Sequence, residues 1–427
     1  MLGRAWEAIM TSLDPHSPLG RLALHLEKVE DPRRLRQPVH LFQELLIIGL
    51  CCFFTGGRTF VDMAHCAAAL EPWLRSFLRL PGGLPCHDTF NRVFAAMDSR
   101  QLEDALRHWT SELDIPREPD DLPPLPLRHL AMDGKVLRGS RCGPAGDAAG
   151  PGSAPSARAR AVVNVWLADH GLVLAQRRIP EESSGIVQAP LLLRHLQLKN
   201  TVITADAAHA RTATAGQIRD QGGDYLLCVK GNQAATADAI REKLQPLITA
   251  LPDGHFYSVD KEHGRLDERR AWVCTELEDF APRGLWKGLA AVAVMETRSE
   301  NLTTGKVSTE RRCFISSLGP STGAAAATEE KALAGILARL ARNHWKVENS
   351  LHWRLDVLMG EDACRARRRE AAINLAVLRK ITLNTLKAHP PFPGKKGAAM
   401  SMRSRQYLAS LTPNYLASLL QSRTLAT

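Results

Sequence analysis

What the chain lacks narrows it first. Among its 427 residues the longest apolar run is LLIIGLCCFF at 45–54, too short to cross a bilayer as a helix. The opening MLGRAWEAIM has neither the basic block nor the apolar block of a signal peptide, so the expected compartment is the cytoplasm, with no membrane partner. Its nine cysteines, at 51, 52, 66, 86, 142, 228, 274, 313 and 364, form an odd, scattered set without a CxxC pair. That excludes a disulfide framework and a zinc knuckle, and leaves the thiols as small core residues.

What is present is a long, moderately apolar and basic chain. With 44% hydrophobic residues it can bury a sizeable core and form two or three domains. A net charge of +10 favours a polyanionic partner, with nucleic acid the leading class.

Composition changes along the chain mark its parts. Residues 1–112 read as helices: HLFQELLIIGLCCFF, VDMAHCAAALEPWLRSFL, HDTFNRVFAAM with Asp88 or Thr89 as N-cap, and SRQLEDALRHWTSEL from a further cap. IPREPDDLPPLPL at 115–127 cannot continue a helix and serves as a linker. Beyond it LRHLAMDG, ARAVVNVWLAD, GLVLAQRRI, TVITADA and DYLLCVKG are short β-type runs, which implies a mixed α/β sheet. RCGPAGDAAGPGSAPSA, between the first two, is too poor in large apolar groups to pack and reads as a mobile loop.

Three acids sit where this topology gathers them. Asp133 ends the first strand and Asp206 the fourth; if those strands are neighbours, their carboxylates lie side by side. Glu348, on a later helix packed against the sheet, can complete an oxygen cluster suited to Mg²⁺ or Mn²⁺ and phosphoryl transfer. A DG pair after a strand is also a common turn.

RNHWKVENSLHWRLD, 342–356, reads as an α-helix with Val347, Leu351, Leu355 and Leu358 as its apolar stripe and Glu348 half-buried on the border. His344 and His352 share that face. Three ligands on successive turns of one helix diverge by about 40° at each step, which disfavours zinc. A border glutamate paired with Arg or Lys is the plain alternative.

The blocks AMDGKVLRGS, VITADAAHA, GGDYLLCVKGNQ, HGRLDERR and RNHWKVENSLHWRLDVLMGEDACRAR with NLAVLRKITLNTL carry a resemblance. Together they resemble the bacterial insertion-sequence transposases of the H-repeat-associated (Rhs-linked) group, DDE transposases with an RNase H-like core. EDPRRLRQPVHLFQELL and GLPCHDTFNRVF resemble that group's associated domain, so the likeness runs over nearly the whole chain. It implies Asp133, Asp206 and Glu348 as the catalytic, metal-holding triad. It also implies a β-rich insertion between the fifth strand and Glu348, where RRAWVCTEL, AAVAVMETR and STERRCFISSL are strand-like. The surroundings depart from the pattern. EESSGI, with Glu182 and Gly185, stands where the group reads EKSNEI; Arg211 replaces a glutamine; Ala341, His344 and Leu355 stand where the superfamily often has Tyr, Arg and Lys.

The resulting expectation is an α/β protein: an all-helical N-terminal domain, 1–114, for DNA ends; a linker, 115–127; an RNase H-like mixed-sheet core, 128–233; a β-rich insertion, 234–318; core helices carrying Glu348, 319–387; and a basic spacer with a tail helix, 388–427. HDTFNRVF and SRQLEDAL are candidates for a helix-turn-helix-like pair. DNA contacts are expected of Lys135, Arg138, Lys230, Asn232, His263, Arg265, His344, Trp345, Asn349, His352, Arg365, Arg367, Arg368 and Arg369. His344 is expected to touch phosphate when protonated, near a pKa of about 6.5. The run CRARRR is expected to open a helix with Ala371, Leu375, Leu378 and Thr382 as its stripe. The expected activity is a Mg²⁺-dependent transposase, bacterial, cytoplasmic and nucleoid-associated, acting on double-stranded DNA as a homodimer in the DNA complex. A DNA-binding relic and a nuclease without strand transfer are the alternatives.

Overall fold

The computed structural model describes residues 17–33, 38–115, 117, 125, 127–141, 159–180, 185–262, 264–319, 326–389 and 400–421. Among the described residues six N-terminal helices come first: α1 (Pro18–Leu26), α2 (Phe42–Phe54), α3 (Phe60–Ala69), α4 (Glu71–Leu74), α5 (His87–Ala96) and α6 (Ser99–Ser111). Of the thirteen residues of α2 only Gln43 is not buried, as befits a helix apolar on every side. Thr59 and Asp62 form a capping box on α3, and Asp98 caps α6 by accepting from the amide of Arg100. The cap expected of Asp88 or Thr89 is absent: α5 starts at His87, after Cys86, with no side-chain cap.

Among the described residues nine strands form one sheet in the order β3-β2-β1-β4-β5-β9-β8-β7-β6. β1 (Arg128–Val136), β2 (Ala161–Leu167) and β3 (Leu172–Ile179) are an antiparallel meander, and β4 (Thr201–Ala205) and β5 (Asp224–Val229) run parallel beyond β1. The crossovers into β4 and β5 carry α7 (Gly185–Leu193) and α8 (Thr212–Asp220). This is the RNase H-like arrangement. The insertion begins with a helix, α9 (Ala234–Ala250), and its strands β6 (Phe256–Glu262), β7 (Arg265–Cys274), β8 (Ala291–Asn301) and β9 (Val307–Ser316) extend the core sheet through β9 on β5. It is thus no separate β unit.

Alternation along the strands divides the packing. Leu130, Met132, Ile203 and Leu227 face α7, α8 and α9, whereas Val202 and Leu226 face α10 (Ala326–His344). Ala131, Trp166 and Val173 join a core shared by the N-terminal helices, the stretch 347–359 and α11 (Ala371–Ala388). The N-terminal helices therefore share their interior with the C-terminal ones. α6 lies along β3, with Leu102, Leu106 and Trp109 in that shared core.

Two expectations about the C-terminal part are corrected. CRARRR precedes α11 and does not open it, and α11 has no solvent face: every residue from Ala371 to Leu386 is buried, Arg379 and Lys380 included. The tail forms two helices, α12 (Met402–Leu411) and α13 (Pro413–Gln421), with one YLASL copy in each; Tyr407 is exposed and Tyr415 buried. Cys51, Cys52, Cys228, Cys313 and Cys364 are buried, but Cys86 is exposed. The expected mobile loop falls outside the described residues from Cys142 to Arg158. No described helix is long and apolar enough to cross a membrane.

Candidate active site

β1 and β4 pair in parallel up to Met132 opposite Ala205, so the next residues, Asp133 and Asp206, stand at the same level; β4 ends there, whereas β1 continues to Val136 with Asp133 opposite Asn164 of β2, so Asp133 does not end its strand as expected. Asp133 lies on the face of Ala131, the side on which the stretch 347–358 packs. Its Oδ1 accepts from the amide of Gly134 at 2.8 Å. Burial raises its pKa; His352 and that amide pull it down, and Glu348 and Asp206 push it up. Asp206 is more open, with Lys230 Nζ 3.9 Å from its Oδ1.

The expected α-helix around Glu348 is wound differently. Val347–His352 and Arg354–Leu358 are π-helical, a wider winding that occurs as short interruptions, frequently at functional sites. Val347, Leu351 and Leu355 face the core. Glu348 is not half-buried as expected but 55% exposed at its side chain, while His352, 8% exposed, lies beneath it. His352 Nδ1 is 3.3 Å from Glu348 Oε2 and 3.6 Å from Asp133 Oδ2. One ligand atom from each of Asp133, Glu348 and His352 falls within 4.8 Å of the others. Carboxylates drawn together against their own repulsion, with Asp133 held back from ionising, form an oxygen-rich set that fits a hard divalent cation. Asp133 and Glu348 would hold it, with Asp206 on the neighbouring strand end.

The other sequence candidates divide by environment. Lys135 is 7% exposed at its side chain, its ammonium 2.8 Å from Asp356 Oδ2 and 3.4 Å from Asp362 Oδ1. His344 lies in a buried chain: its Nδ1 is 2.9 Å from Thr204 Oγ1, which is 2.8 Å from His129 Nε2. Burial lowers the His344 pKa to about 4, which corrects the expected titration near the ordinary histidine value. The ring is neutral at pH 7. Trp345 is partly exposed and carries the Arg312 guanidinium 4.1 Å from its ring centre. The Asn232 amide donates to the carbonyl of Ala207 and so braces the turn after Asp206. Arg138, Lys230, Arg265, Asn349, Arg365, Arg367, Arg368 and Arg369 are exposed; His263 and Glu182 lie outside the described residues. Gly185 opens α7 against His209, whose Cε1 would sit 3.1 Å from an added Cβ.

Sequence reasoning passed over Arg58, Asp356, Glu361, Asp362, Arg379 and Lys380, which gather at the far end of the π-helical stretch. The signal for the last two was the pair of cations inside the apolar run NLAVLRKITLNTL, because a charge in an all-buried helix requires partners.

The profile described as "Transposase DDE domain" matches residues 124–385, and "DDE_Tnp_1-associated" matches 23–110. A protein of Xanthobacter autotrophicus described as "Uncharacterized protein in dhlA 3'region" is 36% identical over 292 residues, 68% of this chain and 92% of its own. The "H repeat-associated putative transposase YhhI" of Escherichia coli K12 is 31% identical over 411 residues, 94% of this chain and 98% of its own. A "Putative transposase YncI" of Escherichia coli O157:H7 is 29% identical over 366 residues, 85% of this chain and 86% of its own. A solved piggyBac transposase synaptic complex with hairpin DNA aligns with 100% of this chain and 83% of its own, at 9% identity and a TM-score of 0.38, a likeness too low to argue from. With its DDE-domain match spanning more than half of its length, and relatives aligned nearly end to end, the chain belongs to the transposase DDE-domain family.

Proposed function

We propose that this protein cuts and joins DNA at the ends of an insertion sequence, with Asp133, Asp206 and Glu348 as its catalytic carboxylates and Mg²⁺ or Mn²⁺ as cofactor. The observation that carries the reading is the parallel register of β1 and β4, which brings Asp133 and Asp206 to one end of the sheet while Glu348 approaches Asp133 through His352. When bound, the divalent cation would lower the pKa of a water and neutralise charge on the phosphate and the leaving oxygen.

The protein's own groups supply position. Asp133 and Glu348 orient the attacking oxygen toward a terminal phosphodiester, and the freed 3′-hydroxyl returns to the same carboxylates to attack target DNA. Lys230, exposed beside Asp206, exchanges that carboxylate for a DNA phosphate. The turn Arg138–Ser140 lies so close to the backbone of Asp362 and Cys364 that a Cβ on Gly139 would meet the Cys364 carbonyl. Arg138 and the exposed arginines that follow Cys364 therefore form a continuous cationic border for the duplex.

The test is to incubate the purified protein and Mg²⁺ with duplexes carrying the repeats that flank its own element, then map cleaved and joined strands. Cleavage with joining supports the reading. Cleavage without joining makes the protein a nuclease, and binding without cleavage makes it a relic.

A further inference from the structure

The π-helical stretch that carries Glu348 has an unequal pair of ends. Glu348 lies in its first turn, exposed, facing carboxylates of its own sign. Its last turn is held by cations from three separate parts of the chain. Lys135, two residues after Asp133 on the same face of β1, pairs with Asp356 and Asp362. Arg58, from the turn before α3, donates Nη2 to the carbonyls of Val357 and Leu358, each at 3.3 Å. Arg379, buried in α11 with its guanidinium 5.1 Å from the Phe53 ring centre, donates Nε to the Met359 carbonyl at 3.2 Å and Nη2 to the Arg58 carbonyl at 3.1 Å. Gly360 then turns the chain at φ 61°, where a Cβ would strike Arg58 Cδ at 2.7 Å.

Each of these interactions answers a physical need. The last carbonyls of a helix have no partner within it, and cations are favoured there by the helix dipole. The charges of Glu348 and Asp206 act against that of Asp133, a push between the first turn of the stretch and β1. Lys135 opposes that push from the same strand. Its ammonium is occupied and nearly sealed from solvent, which suits a brace better than a phosphate ligand.

We infer that Lys135, with Arg58 and Arg379, forms a clamp that holds the π-helical stretch on β1 and thereby sets the separation of Glu348 from Asp133, making Lys135 a positioning residue for the carboxylate site. The inference rests on the carboxylate reading given above. It predicts that the partners surrounding the ligands govern metal affinity here, as they do where removing such partners costs about 10- to 100-fold.

The experiment compares Lys135→Met, Lys135→Arg, the double variant Lys135→Met with Asp356→Asn, and Glu348→Gln. Mn²⁺ affinity is read by calorimetry, DNA affinity as a function of salt, and hydrogen exchange over 347–358. The double variant avoids leaving Asp356 charged without its partner, so it guards against a Lys135→Met protein that fails to fold. Lys135→Met or the double variant is expected to lose about tenfold or more in Mn²⁺ affinity and to exchange faster over 347–358, at unchanged DNA affinity. Lys135→Arg should recover most of the loss. Unchanged Mn²⁺ affinity in the folded variants overturns the clamp, as does a DNA salt slope reduced by the share of one phosphate, roughly 0.9, with metal affinity intact. If Glu348→Gln binds Mn²⁺ as the parent does, the carboxylate reading fails instead, and exchange over 347–358 still decides whether the clamp exists.

Discussion

Glu103 of α6 and Gln176 of β3 meet inside the protein, with Gln176 Nε2 donating to Glu103 Oε1 at 3.1 Å. The Arg178 amide donates to the same oxygen at 2.9 Å, and Gln176 Oε1 accepts from the buried Lys380 at 2.7 Å. One polar chain thus ties the N-terminal helices, the sheet and α11, beside the apolar core that those helices share with the stretch carrying Glu348.

That junction makes stability pH-dependent. Burial raises the Glu103 pKa to about 7, against hydrogen bonds and cations that pull it down. Because the folded value lies above the unfolded one, its contribution is fully present below about pH 4.5 and is lost as pH rises through about 7. The loss is on the order of 3 kcal/mol, from about 1.4 kcal/mol per unit. Urea midpoints of the parent and of Glu103→Gln are expected to converge or cross between pH 5 and pH 8, to the variant's advantage on the alkaline side. A constant gap between them would show that Glu103 does not titrate in that range.

Asp133→Asn, Asp206→Asn and Glu348→Gln are each expected to abolish cleavage while leaving DNA affinity largely intact. Each removes one oxygen ligand, whereas phosphate contacts elsewhere supply most of the binding. A variant that cleaves near the parent rate removes its residue from the triad.

The parts that were legible in the sequence are local ones. TVITADA announces a strand that ends at an acid, and AMDGKV a strand, though not that it runs on past Asp133 to Val136, because period and turn chemistry act over a few residues; every strand of the sheet except β6 appeared as an apolar run. Spacing could not reveal the winding around Glu348: apolar residues four apart, as at 347, 351 and 355, serve an α-helix and a π-helix alike. Lys135 read as a DNA contact because Asp356, which draws it inward, lies 221 residues away in the chain. The same distance in sequence hid the shared core, since nothing local to α11 says that α2 and α6 cover the side on which its polar residues lie.

Neutralising Arg365, Arg367, Arg368 and Arg369 together is expected to weaken DNA binding and flatten its salt dependence. All four are exposed, between Cys364 and the start of α11, next to the turn bearing Arg138. Every phosphate that goes unneutralised in the variant should lower the log-log slope by about 0.9 on duplex DNA. An unchanged slope would mean that these side chains face solvent in the complex.

The last expectation concerns which atoms take the metal. His352 Nδ1 lies close enough to both Asp133 and Glu348 to compete for it, and a nitrogen ligand would point to a softer ion than Mg²⁺. Oxygen-seeking ions instead favour the carboxylates, leaving His352 to donate to a coordinated carboxylate and fix its orientation. His344 is further removed, with Nδ1 committed to Thr204 and the ring neutral through burial. In Mn²⁺-soaked crystals, anomalous density is therefore expected against Asp133 and Glu348 oxygens, kept in His352→Ala and lost in Glu348→Gln. Density bonded to either histidine nitrogen, with none at Glu348, would assign the site to a different metal and a different chemistry.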